Sequence, residues 1–223
     1  MARLAVRLMS WNLKHGRADP SAGRYLLDEF ARALAGWEWD VALLQEVPPW
    51  WPEPLARAAQ AEARLVLTSR NEILPVRRAL ATRWPDLMKS AGGGANAILV
   101  RGRGVHEHRT RRLRRLPERR WMHALELPDG VWVGNLHASA HDWRLARRDC
   151  ALASETLRGW AGDAPCILGG DLNLRHPELA GFTHAAGHDV DHVFVRGLTG
   201  RGRGELLDRG ALSDHAPLVV TVS

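Results

Sequence analysis

Residues 166–173 read Cys-Ile-Leu-Gly-Gly-Asp-Leu-Asn, a short apolar run followed at once by glycines and polar side chains. The apolar run has the length of a buried strand, and the two glycines mark the place where a strand gives way to a turn. An acidic residue, Asp171, and an amide, Asn173, are thus placed at the end of a strand. Because residues i and i+2 of an extended segment point to the same face, we expect both side chains to reach a common point.

The same arrangement recurs along the chain, where apolar segments of strand length end in short polar signatures. Strand ends on one side of a sheet are where rigid scaffolds hold functional side chains, so we expect these signatures to form one site. The signatures are Trp11-Asn12, Gln45-Glu46, Asn135-Leu136-His137, Gly170-Asp171-Leu172-Asn173, Asp191-His192 and Ser213-Asp214-His215.

Segments with helical spacing alternate with strand-like segments, and residues 95–137 hold several consecutive strand-like segments separated by turn signals. This pattern predicts an α/β fold with two sheets, mixed but mostly antiparallel, packed face to face with helices outside. No repeat or shift in composition divides the chain, so we expect residues 1–223 to form a single domain. The Arg/Gly stretch 196–204 is expected to be a loop.

The charge and the apolar pattern restrict the cellular setting and the partners. The net charge of +6 and the pI of about 10.5 favour contact with polyanions, namely nucleic acid, anionic lipid headgroups or phosphorylated small molecules. No apolar run approaches the roughly 20 residues of a membrane helix. Because Arg3 and Arg7 interrupt the N-terminal apolar residues, no secretory signal is indicated, and we expect a cytoplasmic protein.

Carboxylates gathered at one site repel one another unless a cation lies among them. Glu46, Asp171 and Asp214 offer oxygen donors, which hard divalent cations prefer. The two cysteines, Cys150 and Cys166, do not have the spacing of zinc ligands, so Mg²⁺, or Mn²⁺, is favoured over Zn²⁺. A carboxylate that orients water beside an amide that binds an oxygen suits hydrolysis at a phosphoryl group.

The ordered set of signatures resembles the endonuclease/exonuclease/phosphatase family, and in particular its deoxyribonuclease-like members. The resemblance extends over residues 4–222 and also includes Asn96, in a Gly-Asn-like position, and Pro217, after Ser213-Asp214-His215. It implies a four-layered α/β sandwich and a metal-dependent hydrolase in which water attacks phosphorus in line with the leaving oxygen.

The resemblance also implies a role for each metal-binding residue. Glu46 would be the principal ligand of the metal ion, helped by Asp214 and Asn12.

The catalytic residues implied by the resemblance surround the scissile phosphate. His215, held by Asp191, would act there as a base or as a charge stabiliser. Asp171 would orient the attacking water or bind a second metal ion. Asn173 and His137 would contact phosphate oxygens.

One departure from the family pattern concerns the partner of His137. Deoxyribonuclease-like members carry a glutamate before the fourth strand, where this chain has Gly92-Gly93-Gly94. Glu72 is only a distant substitute. Lys14 and His137 argue against the branch of abasic-site endonucleases.

Residues Arg109 to Arg120 include seven arginines, which form either a surface that tracks phosphates or a solvated edge strand. Arg119 or Arg120 best matches the arginine that contacts substrate phosphate in the family. Trp50 and Trp51 are candidates for stacking on a substrate, although at least one is expected to pack beneath its loop. Three tryptophans inside strands are expected in the core, namely Trp11, Trp121 and Trp132.

The leading hypothesis is a nuclease that acts on DNA or RNA. The alternative is a phosphatase or phosphodiesterase that acts on a phospholipid, a phosphoinositide or a small phosphate ester. A catalytically silent nucleic-acid-binding relative is disfavoured, because such a protein would be expected to lose part of the polar set and none is missing here.

Overall fold

The computed structural model describes residues 5–223, except for the side chains of residues 201–203. Twelve β-strands and five α-helices lie within this range. The strands are β1 Val6–Asn12, β2 Val41–Val47, β3 Ala61–Leu67, β4 Ala95–Arg101, β5 Glu107–Arg114, β6 Arg120–Glu126, β7 Trp132–His137, β8 Cys166–Asp171, β9 Thr183–His188, β10 Asp191–Arg196, β11 Gly200–Leu206 and β12 Leu218–Val222. The helices are α1 Leu27–Gly36, α2 Pro52–Ala58, α3 Leu74–Arg83, α4 Pro85–Met88 and α5 Trp143–Ala161.

The strands form two six-stranded mixed sheets. The first has the order β11-β12-β1-β2-β4-β3 and the second the order β5-β6-β7-β8-β10-β9. Each sheet contains one parallel pair, β1 with β2 in the first and β7 with β8 in the second, and the other pairs are antiparallel. Because parallel neighbours end at the same edge of a sheet, the polar residues that end these four strands are brought to common edges.

Three apolar clusters separate four layers. The central cluster joins the two sheets through side chains such as Leu43 and Ile167. A second cluster packs α1 and α2 against the outer face of the first sheet, with Phe30 as a central residue. A third packs α5 against the outer face of the second sheet through residues such as Leu157 and Leu168. The predicted sandwich of helices, two sheets and helices is therefore confirmed.

Two edge strands differ from the sequence-based expectations. Residues 200–204 were expected within a loop but belong to β11, which pairs with β12. Strand β9 was not predicted, and it pairs with β10. Edge strands are exposed on one side, so they lack the apolar run or the clear alternation by which strands are recognised in a sequence. No helix within the described range is long and apolar enough to cross a membrane.

Gly170 has a φ of +136° within β8 and lies opposite Leu136 of β7. A Cβ atom added at Gly170 would overlap the carbonyl oxygen of Leu136. Only glycine allows the two strands to approach this closely in this backbone conformation. The residue before Asp171 thus fixes where that carboxylate enters the space between the sheets.

Replacing Gly170 by alanine is expected to lower the free energy of unfolding by about 2–4 kcal/mol, because the new methyl group must push β7 and β8 apart. Urea denaturation followed by circular dichroism measures the change. Gly159→Ala is the matched control, since Gly159 lies in α5 with no atom within 4 Å of its added Cβ. We expect that variant to be stabilised by about 0.5–1 kcal/mol. Equal stability of Gly170→Ala and the natural chain would contradict this account.

Candidate active site

The ends of the two parallel pairs meet across the sandwich. Asn12 ends β1 in the first sheet, and Asp171 ends β8 in the second. The Asn12 Nδ2 donates a hydrogen bond of 2.9 Å to Asp171 Oδ2, and both residues are buried. This bond ties the two sheets together at the edge where the polar signatures gather.

Asp171 accepts a second hydrogen bond from the backbone N–H of Asn173, at 3.0 Å from Oδ1. Asn173 has a φ of +50°, so the segment turns here, and the prediction that the two residues share the face of an extended segment is wrong. An aspartate that accepts from the backbone two residues ahead stabilises such a turn. The Asn173 side chain donates to the Ala138 carbonyl oxygen at 3.0 Å. Its Oδ1 is therefore held in a fixed position beside Asp171.

His215 lies on the loop before β12 and is held from several directions. Its Nδ1 lies 2.7 Å from Asp191 Oδ2, and its Nε2 lies 3.9 Å from Asp171 Oδ2. The carbonyl oxygen of His215 accepts a bond of 3.0 Å from the indole nitrogen of Trp11. Asp191 therefore orients the imidazole and leaves Nε2 facing the buried carboxylate.

Two carboxylates face each other on neighbouring strands, since Asp171 and Asp191 are direct partners in the β8–β10 ladder. Burial raises the pKa of Asp171, and the negative charge of Asp191 raises it further. Burial alone would lower the pKa of His215, but the hydrogen bond to Asp191 and the surrounding carboxylates outweigh it and raise the pKa to about 9. The structure therefore favours a positively charged His215 at neutral pH.

Asp171, Asp191 and His215 each offer a ligand atom, and these atoms lie within 4.8 Å of one another. The Oδ1 of Asp191 is buried and has no hydrogen-bond partner within the described part of the chain. The two carboxylates could bind a hard divalent cation such as Mg²⁺ through their oxygens, whereas His215 could bind a metal ion only after losing its proton. Of these three residues, Asp171 was expected either to orient the attacking water or to bind a second metal ion, whereas Asp191 and His215 were expected to act in catalysis.

Glu46, the predicted principal metal ligand, lies at a bulge of β2 with a φ of +50°. Its side chain is 25% exposed, with Oε2 at 3.3 Å from His15 Nε2 and Oε1 at 3.9 Å from His137 Nε2. Two imidazoles and the solvent thus surround this carboxylate. His15 was not predicted from the sequence as a residue of the site, although its position three residues after Asn12 could have indicated it.

The other predicted ligands are held by hydrogen bonds or ion pairs. The Asn12 Oδ1 accepts the backbone N–H of Lys14 at 2.9 Å. The Asp214 side chain is 44% exposed, and its Oδ2 lies 3.2 Å from Lys14 Nζ. Burial would raise the pKa of Asp214, but the hydrogen bond from Lys14, a backbone hydrogen bond and the charges of His215 and Lys14 together outweigh burial and lower the pKa. A cation that binds Asp214 must therefore compete with the Lys14 ammonium group, and the ligand set of Glu46, Asp214 and Asn12 stays a prediction.

His137 lies between two carboxylates, with Nε2 at 3.6 Å from Asp171 Oδ2 in addition to its contact with Glu46. Burial lowers the pKa of His137 well below its ordinary value, and the nearby charge of Arg120 lowers it further. Glu72, the distant candidate for a partner, instead pairs with Arg119 at 3.5 Å. The acidic neighbours of His137 are therefore Glu46 of β2 and Asp171 of β8, and not a residue of the segment before β4.

A cavity of 180 Å³, named here the catalytic cavity, opens at these residues and is lined by Glu46, His137, Asn96, Arg119 and Arg120, among others. Asn96 is buried, and its Oδ1 has no partner within the described residues. Arg120 is nearly buried and donates to Glu118 Oε2 at 2.7 Å. The predicted substrate contacts Asn96, Arg119 and Arg120 therefore lie together at one opening.

Trp51 is not a substrate contact, in contrast to the prediction. Its side chain is 1% exposed, and its indole nitrogen donates to the Tyr25 hydroxyl at 2.7 Å. The ring also packs against Phe30, with 5.3 Å between ring centroids. Trp50 is partly buried and donates to the same hydroxyl at 2.9 Å. Tyr25 thus anchors both indoles to the core below α1 and α2. This agrees with the expectation that at least one of the two tryptophans packs beneath its loop.

Comparisons with known proteins agree with this architecture. The sequence model described as "Endonuclease/Exonuclease/phosphatase family" matches residues 9–215. No curated protein matches the chain by sequence.

Solved structures resemble the chain over nearly its whole length. An endonuclease/exonuclease/phosphatase protein from Beutenbergia cavernae has a TM-score of 0.74 and 19% identity, covering 99% of this chain and 72% of its own. TDP2 from Caenorhabditis elegans has a TM-score of 0.68 and 17% identity, with coverages of 98% and 74%. The mannosyl-6-phosphatase Bt3783 of Bacteroides thetaiotaomicron has a TM-score of 0.72 and 15% identity, with coverages of 98% and 99%. At these identities the likeness shows the fold.

The contact between Asp191 and His215 makes a testable prediction. Asp191→Asn removes the charge that opposes the burial of the imidazole, so the pKa of His215 is expected to fall from about 9 by at least about 1 unit. Titration of the His215 ring protons by NMR measures the change, with His215→Ala used to assign the signal. A titration of His215 that is the same in both proteins would show that Asp191 does not control its charge.

Proposed function

The chain belongs to the endonuclease/exonuclease/phosphatase family, whose members hydrolyse phosphate esters, and we propose that it is a divalent-metal-dependent nuclease that cleaves DNA or RNA. The observation that carries the proposal is that His137, which lines the catalytic cavity with Arg119 and Arg120, lies 3.6 Å from Asp171. The same carboxylate faces the Asp191–His215 pair. The cavity offers positive charge to a phosphodiester, and the buried groups offer the means to hydrolyse it.

In the proposed reaction, the oxygen of a water molecule attacks phosphorus in line with the leaving oxygen. The Asp171 carboxylate orients this water. The positively charged His215 donates from Nε2 to an oxygen of the phosphoryl group, and Asp191 keeps the imidazole in place and balances its charge. The neutral His137 and the fixed amide of Asn173 contact further oxygens. The protein thus acts by positioning and by stabilising negative charge.

A magnesium ion would be held by Glu46, with Asp214 and Asn12 as further ligands, and Mn²⁺ would be an acceptable substitute. When bound, the ion would neutralise negative charge on the phosphate and its leaving oxygen. Glu46 is suited to this role because its carboxylate faces the catalytic cavity and contacts only histidines there among the described ion pairs.

The second candidate is hydrolysis of a small phosphate ester, or of a phosphorylated lipid headgroup. The observation that favours it is the volume of the catalytic cavity, since 180 Å³ accommodates little more than a phosphate and a small attached group. The arginines beyond this cavity favour the polynucleotide. A catalytically silent binder is disfavoured because burial of these charged side chains costs stability, and a protein without activity would not need them.

The first experiment compares purified natural protein with Asp171→Ala and His215→Ala on labelled DNA and RNA and on phosphorylated sugars, each with Mg²⁺ or EDTA. We expect metal-dependent polynucleotide cleavage that falls by at least about 100-fold in both variants. His176→Ala, which replaces an exposed histidine, should retain full activity. Phosphate release from the small esters alone would establish the second candidate, and no turnover of any substrate would contradict both.

The metal assignment is tested by the concentration of Mg²⁺ that gives half-maximal activity. Glu46→Gln is expected to raise this concentration by about tenfold or more, because a charged ligand becomes neutral. Lys14→Met is expected to lower it, because the ammonium group no longer competes for Asp214. Isothermal titration with Mg²⁺ gives the same comparison without turnover. An unchanged requirement in Glu46→Gln would remove Glu46 from the ligand set.

A further inference from the structure

A second cavity lies next to the catalytic cavity and shares Thr68 and Arg119 with it. Its volume is 540 Å³, and we name it the outer cleft. It opens where β3, the edge strand of the first sheet, faces β6 of the second sheet, and Arg112 of β5 also lines it. The residues that line it are Leu67, Thr68, Asn71, Glu72, Arg112, Arg115, Arg119 and Trp121.

The outer cleft combines an aromatic ring with free positive charge. Trp121 was expected in the core, but it is only partly buried and lines the cleft. The Arg112 guanidinium lies 5.8 Å from the centroid of its ring. Arg112 and Arg115 are exposed, and neither forms an ion pair with any carboxylate in the described range. Glu72 is the acidic residue of the cleft, and it pairs with Arg119.

Most of the other arginines between Arg109 and Arg120 form ion pairs outside the outer cleft. Arg109 pairs with Glu107 at 2.7 Å, Arg114 pairs with the buried Asp149 of α5 at 2.9 Å, and Arg120 pairs with Glu118 at 2.7 Å. Arg111 is the cross-strand partner of Met122, whose side chain packs toward α5. Because directly paired residues project to the same face of a sheet, Arg111 lies on the α5 side of β5, opposite to Arg112. The run therefore does not form one uniform basic strip, and its two unpaired cleft arginines lie on the side of the catalytic cavity.

We propose that the outer cleft binds the nucleotide adjacent to the scissile phosphate, with Trp121 against its base and with Arg112 and Arg115 at its phosphate. This inference rests on the proposed nuclease function and names a part of the substrate that the catalytic cavity is too small to hold. A cleft of 540 Å³ is within the size range of sites that enclose small ligands. Arginine binds phosphate in a bidentate manner, and any base can stack on an indole.

The outer cleft also explains how a chain with a small catalytic cavity can prefer a polymer. Because both cavities share Thr68 and Arg119, a strand that occupies the catalytic cavity can continue into the outer cleft without leaving the protein surface. Stacking and phosphate contacts there do not depend on base identity, so cleavage is expected with little sequence preference.

The test is a binding measurement that does not require turnover. Fluorescein-labelled six-residue oligothymidylate and oligouridylate, both with phosphorothioate linkages, are titrated in EDTA with the natural protein and with Arg112→Ala/Arg115→Ala, and fluorescence anisotropy is recorded. We expect the double variant to raise Kd by about tenfold or more and to reduce the salt dependence of binding by about 0.7 in log–log slope per lost phosphate contact. Trp121→Ala should also weaken binding, and Trp121→Phe should largely restore it.

The matched control is Arg111→Ala/Arg148→Ala, which removes the same charge from the opposite face of β5 and from the exposed side of α5. It is expected to bind like the natural protein, and thermal melting confirms that every variant is folded. Equal affinity of the cleft variant and the natural protein, equal weakening by the control, or no binding by the natural protein would each overturn the proposal.

Cleavage of unmodified oligonucleotides with Mg²⁺ is measured in parallel, so that the two proposals fail separately. Cleft-dependent binding without cleavage supports the outer cleft and contradicts the nuclease function. Cleavage with binding that ignores Arg112 and Arg115 supports the nuclease function and overturns the outer cleft.

Discussion

The burial of two carboxylates, Asp171 and Asp191, opposite each other on neighbouring strands is the constraint on which the rest of the site depends. Buried like charges are unfavourable unless hydrogen bonds and a cation compensate for them. Here the compensation comes from three directions: Asn12 from the other sheet, the backbone of Asn173, and the charged ring of His215. The position of the two sheets relative to each other and the position of the loop before β12 therefore both affect the environment of the Asp171 carboxylate.

The division of the basic surface follows from strand geometry in the same way. Residues alternate between the two faces of β5, and the irregularity between Arg112 and Arg114 shifts this alternation, so arginines that are close in sequence have different partners. Arg114 is used to hold α5 through Asp149, and Arg112 is left beside Trp121 at the opening between the sheets. The net charge of the chain is thus less informative than the face on which each arginine lies.

The sequence predicted the sandwich and the convergence of its polar strand ends, because both depend on local patterns. Apolar runs that end in polar signatures identify buried strands and their ends, and the signatures at Glu46, Asp171 and His215 converge as expected. What the sequence could not show depends on contacts between distant segments or on local backbone conformation. The contact of His15 with Glu46, the turn at Asn173 and the pairing of the Gly-rich β11 required the fold itself. The indoles were the least predictable, since Trp51 is buried in the core whereas Trp121 lines the outer cleft.

Isotope transfer from the solvent tests the central claim most directly, namely that water attacks phosphorus at the Asp171–His215 site. A short oligonucleotide would be cleaved in ¹⁸O-labelled water with Mg²⁺ by the natural protein and by Asp171→Asn, and the products would be analysed by mass spectrometry. We expect one labelled oxygen in the phosphate-bearing product of the natural protein, none in its hydroxyl product, and no cleavage by the variant. Label in the hydroxyl product, or undiminished cleavage by Asp171→Asn, would contradict the account.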